Sequence, residues 1–147
     1  MAATSASVNS RRHVALLAWW SITWGILLAV GEIARNLGDW QWWPFWVADL
    51  IASMLLIVGG WFALRGRDAS RLSPLVGALG FCTAMGYDSF FGHLASLEQP
   101  VNGPIPHVAL TVIIGVLFAL AVVSFGVAIA LAVRVGRSPY ESATGGV

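Results

Sequence analysis

Long apolar segments alternate with short polar ones along the whole chain. They run from about His13 to Ala34, Pro44 to Leu64, Pro74 to Ser96 and His107 to Val133. Each holds about 20 or more residues, enough to cross a hydrocarbon core of about 30 Å at about 1.5 Å per residue. Pro44 and Pro74 stand in first turns, where a missing N–H costs a helix little. The last segment is longer than a span needs and must tilt or project from the membrane. None of the segments alternates with a period of two, so the pattern gives no support to a β-barrel. It predicts an all-α integral membrane protein: a four-helix bundle, antiparallel and up-down-up-down, covering residues 13–134. Residues 1–12 read as a disordered N-terminal tail and residues 135–147 as a C-terminal tail. Ser10-Arg11-Arg12 before an apolar run looks like a twin-arginine export signal. No small-residue cleavage site with a polar continuation follows it, and further spans do, so it reads as the flank of span 1.

Composition agrees with the pattern. Hydrophobic residues make up 58% of the 147 positions and charged residues 10%, against roughly 25% charged in a soluble domain. This length allows one small bundle and no second domain. With no lysine and no basic tract, nucleic acid is excluded as a partner. The single Cys82 lies within a span, cannot form an intrachain disulfide, and reads as a small core residue.

Charge placement adds an orientation. Arg11 and Arg12, then Arg65, Arg67 and Arg71, then Arg134 and Arg137 all fall on one side, with only Arg35 on the other. Positive residues favour the cytoplasmic side, so both tails are expected in the cytoplasm of a cell whose inner (plasma) membrane holds the bundle. The expected partner is the lipid bilayer, with a homodimer or a larger membrane complex left open. On the opposite side, the run Trp40-Gln-Trp-Trp-Pro-Phe-Trp46 reads as an interfacial aromatic belt. A ligand-stacking platform is the alternative.

Polar and small residues recur at 3-4 spacing and define one face on each span. Span 1 offers Ser21, Gly25, Leu28 and Glu32; span 2 offers Asp49, Ser53, Leu56 and Gly60. Span 3 offers Gly77, Gly80, Ala84 and Asp88; span 4 offers His107, Thr111 and Gly115. Small residues let membrane helices approach closely, which is expected to turn these faces toward one another. Asp88 lies 14 residues past Pro74 and Asp49 lies 15 before Leu64, or roughly 21 and 22 Å up their helices from the cytoplasmic ends. Two carboxylates at matching depth form a candidate site, since an ionisable residue within a span is a functional hypothesis by default. The plainer reading is hydrogen bonding to hydroxyls such as Ser53, Thr83 or Tyr87. Glu32, three residues before Arg35, is favoured as half of a helix-surface ion pair.

His93 and His107 together with the carboxylates supply metal-ligand types, but the spacing lacks Glu-x-x-His, His-Glu-x-x-His and any Cys pair. Each histidine therefore reads as an interfacial polar residue, and no metal or cofactor is expected. No nucleophile elbow, phosphate loop or dinucleotide fingerprint is present. The expectation is an outward-facing, carboxylate-lined vestibule that binds a proton, cation or small lipophilic ligand. Asp49 and Asp88 lie at its base in this reading, with Glu32 and His107 at the mouth. The alternatives are a structural or accessory subunit of a larger complex, and a membrane enzyme acting on a lipid or quinone; an enzyme is the less favoured class.

Overall fold

The structure is a computed structural model that describes residues 2–36, 43–66, 69–97 and 106–144. It contains four long helices: α1 (Ala2–Asn36), α2 (Trp43–Arg65), α3 (Ser73–Ala95) and α4 (His107–Thr144), with a short 3-10 turn at Ala69–Arg71 before α3. Among the described residues every regular element is helical. Three helices are long and apolar enough to span a membrane, over Ser10–Ala34, Trp46–Arg65 and His107–Gly136. The third expected span, α3, has the length but is diluted by glycine, hydroxyl and ionisable residues, and falls outside that group.

The helices also overrun their apolar cores. α1 begins at Ala2, so the residues expected to be a disordered tail continue the helix of span 1, and α4 likewise runs on to Thr144. Once a span has nucleated a helix, each added residue gains a hydrogen bond for one residue ordered, so polar flanks extend it easily. Pro74 sits at the start of α3 as expected. In the first turn of α4, Leu110 N–H donates to the Pro106 carbonyl at 3.0 Å.

α1 packs along α2, α2 along α3 and α3 along α4, while α1 and α4 touch more sparingly. The interior is built from small side chains. Ala18, Ala52, Ala78, Ala121 and Ala128 are buried, together with Ser21, Ser53, Thr111 and Ser124, and a few leucines fill the remaining space. Large apolar side chains such as Leu16, Ile26, Met54, Val112 and Val123 point outward. A soluble monomer would not display so much apolar surface, whereas lipid tails accept it and small interiors let helices come close.

The close approaches fall in two zones. Between α1 and α2, a Cβ on Gly25 would lie 2.7 Å from the Ser53 carbonyl oxygen, and one on Gly60 would lie 2.8 Å from that of Ala18. Gly59 meets the α3 backbone in the same way, with Leu75 Cα at 2.9 Å. Between α3 and α4, phenylalanines seat on glycines instead. Phe125 lies over Gly80, Phe118 over Gly86, and Phe90 over Gly115. A ring is wide and stiff, so only a residue without a side chain leaves room for it at helix-contact distance.

Hydroxyl groups are satisfied mostly within their own helices. Ser21, Ser53, Thr83 and Thr111 each donate to the carbonyl four residues back, at 2.7–2.9 Å. Between helices, Trp20 Nε1 of α1 donates to Ser124 Oγ of α4 at 3.2 Å. At the end of α2 the Arg65 guanidinium lies 4.2 Å from the centre of the Trp61 ring, holding its charge at the edge of the apolar zone.

Candidate functional site

Three of the four predicted faces turn inward. Ser21 and Gly25 are buried with Leu28 and Glu32 half-buried; Ser53, Leu56 and Gly60 are buried with Asp49 half-buried; Thr111 is buried between the half-buried His107 and Gly115. The fourth does not follow. On α3 the buried residues are Leu75, Ala78, Leu79 and Cys82. Gly77, Ala84 and Asp88 are exposed, and Gly77 and Gly92 have nothing within 4 Å of a built Cβ. Small size permits close packing but does not demand it. Here the backbone of α3 at Pro74 and Leu75 comes within 3.0 Å of a Cβ added at Gly59 of α2.

This arrangement separates the two carboxylates by face. Asp49 is half-buried on α2, one turn before the buried Ala52 and Ser53. Cys82 and Asp88 are six residues apart on one helix, which sets them about 120° apart around its axis. Asp49 thus sits beside the core face of α2, whereas Asp88 is exposed and turned away from the core face of α3. The hydroxyls expected to serve these carboxylates are engaged elsewhere. Ser53 gives its proton to the Asp49 backbone carbonyl, and Thr83 gives its proton to the Leu79 carbonyl. Tyr87 is exposed and joins an aromatic group, with its ring centre 4.6 Å from that of Phe91 and 6.1 Å from that of Phe118.

Glu32 is half-buried near the end of α1. The side chains of its expected partner Arg35 and of residues 40–45 lie outside the described residues, as do Arg67 and the segment 98–105 altogether. Trp46 itself is half-buried at the start of α2.

The residue pair that spacing overlooked is His93 with His107. Their ring centres are 5.7 Å apart and the planes nearly perpendicular, at 76°. His93 Nδ1 lies 2.8 Å from the Ser89 carbonyl, an acceptor only, so that nitrogen carries the proton. His107 Nδ1 is buried and has no hydrogen-bond partner among the described residues. The signal was topological: one histidine closes α3, the other opens α4, and a short connection must bring those ends together. No group of three or more metal-ligating side chains occurs among the described residues. Comparison of the chain with protein-family models, with curated proteins and with solved structures gives no match in any of the three.

Proposed function

We propose that this chain is a structural or accessory subunit of a larger complex in the inner (plasma) membrane, and that the outward side of α3 is the surface that docks its partner. In this reading it is a four-helix, up-down-up-down bundle with both termini in the cytoplasm. The antiparallel order is supported by the way contacts run. Gly25 meets Ser53 to Ile57 while Gly60 meets Ala18 and Ile22, and Gly80 meets Phe125 while Gly115 meets Phe90. The orientation is supported by the seven arginines on one side against Arg35 on the other.

The observation that carries the docking reading is Asp88, exposed beside an open glycine stripe on the one long helix outside the group apolar enough to span a membrane. A carboxylate held against lipid within a span is costly, and glycine against lipid forfeits packing contacts. A partner helix carrying arginine or lysine at the depth of Asp88 relieves both: its backbone fits the stripe and its cation answers the carboxylate. The test is purification from membranes in mild detergent. A stoichiometric partner is expected with the natural chain and its loss with Asp88→Asn. A bare chain in both cases overturns the reading.

A second reading follows from Asp49, Glu32 and His107, all half-buried on inward faces. These line a vestibule for a proton, cation or small lipophilic ligand, with Asp49 alone as its inner carboxylate. Native mass spectrometry separates the two: a bound small molecule lost in Asp49→Asn and kept in Asp88→Asn supports the vestibule.

A further inference from the structure

We propose that His93 and His107 form a binding site for a divalent transition-metal cation where α3 ends and α4 begins. The site does not depend on the docking face of α3. The first ground is distance. With nitrogen–metal bonds of about 2.0–2.1 Å, two imidazoles sharing one ion have ring centres roughly 5 to 6.5 Å apart, and the observed separation is 5.7 Å.

The second ground is the state of the nitrogens. The bond from His93 Nδ1–H to the Ser89 carbonyl fixes the tautomer and leaves Nε2 with its lone pair. A carbonyl on the far nitrogen is the usual way a protein orients a histidine toward a metal. His107 supplies the complementary feature: a buried Nδ1 with no hydrogen bond among the described residues. A buried polar atom left without a partner is destabilising, and a ligand that engages it removes that penalty.

The third ground is how the ligands are held. Both histidines are half-buried and sit on helices that phenylalanine-on-glycine contacts lock together just below them, with Phe90 over Gly115 and Phe118 over Gly86. The Phe90 and Phe118 rings are themselves stacked, 6.0 Å between centres at 19°. Thr111 Oγ donates to the His107 carbonyl at 2.9 Å and ties down the first turn of α4.

Two imidazoles with no third acidic, thiol or imidazole ligand among the described residues make an open site, its other positions left to water or an outside ligand. Such a donor set selects borderline cations and ignores calcium and magnesium, which require oxygen. Copper(II) should bind more tightly than zinc by the general order for nitrogen ligands.

The test is a titration of the tag-free, full-length protein in detergent micelles with zinc and with copper(II), followed by equilibrium dialysis and elemental analysis. One ion per chain is expected, held more tightly for copper. His93→Gln and His107→Gln should each weaken binding at least tenfold, while His13→Gln at the far end of the bundle leaves it unchanged. Helical circular dichroism of each variant verifies the fold, and His93→Ala and His107→Ala replace any variant that does not fold. Absence of saturable one-to-one binding, or binding that survives both histidine changes, overturns the proposal. Binding lost equally in His13→Gln also overturns it.

Discussion

Along the contact of α1 with α2, Gly25 and Gly60 are pressed against neighbouring backbone, with less than 3 Å for an added Cβ. Along the outward side of α3, Gly77 and Gly92 face open space to at least 4 Å. Both stretches are small-residue stripes at helical spacing, and each carries a carboxylate: Asp49 on α2 and Asp88 on α3. One stripe is already occupied by the chain itself. The other is available to something else. Glycine on a membrane helix therefore records an opportunity for close approach, and the neighbouring side chains decide which opportunities are taken within the chain.

The largest expected effect tests the occupied stripe. Gly60→Ala and Gly25→Ala should each destabilise the chain by about 1–3 kcal/mol, because the new methyl meets backbone that cannot turn aside. Denaturant unfolding in micelles measures this, and unchanged stability would mean that the two helices are not held at the distance described. The same variants should speed alkylation of Cys82, which is buried in the packed zone.

A smaller effect is expected where α1 meets α4. Trp20→Phe removes the bond to Ser124 and should cost about 0.6 kcal/mol, the typical worth of one interhelical hydrogen bond in a membrane protein. Ser124→Ala should cost a similar amount. The double variant Trp20→Phe with Ser124→Ala should cost little more than either alone, since both changes remove one bond.

The open stripe should show the smallest effect on stability. Gly77→Leu and Gly92→Leu are expected to move the isolated chain by no more than about 0.5 kcal/mol, as surface changes generally do. The same pair should abolish recovery of the partner from membranes. Destabilisation as large as that of Gly60→Ala would show that the stripe is packed after all and would erase the contrast.

Much of this was legible in the residues. Apolar length placed α1, α2 and α4, and the helices cover the predicted spans with their ends extended. Three inward faces followed from 3-4 spacing, down to Ser21, Gly25, Leu56, Gly60 and Thr111. α3 was misread because it carries two rows of small residues. Gly77, Gly80, Ala84 and Asp88 form one; Ala78, Cys82 and Gly86 form another. Spacing rates the two rows alike. The second row is the inward one: Ala78 and Cys82 are buried and Gly86 seats Phe118 of α4, while the α3 backbone at Leu75 closes on Gly59 of α2.

Composition and segment length by themselves determined that this is a helical protein of the membrane, because burying backbone hydrogen bonds in lipid requires helices of a certain length and apolarity. Arginine distribution adds an expected orientation. Three things were decided only by the tertiary structure. Asp49 is half-buried beside the core face of α2 while Asp88 is exposed on α3, α3 leaves a small-residue stripe uncovered, and His93 meets His107 across the ends of two helices. Each depends on the rotation of one helix about its own axis relative to another. That rotation is set by the shapes that interlock between helices, and the periodicity of a single segment carries no record of its partner's shape.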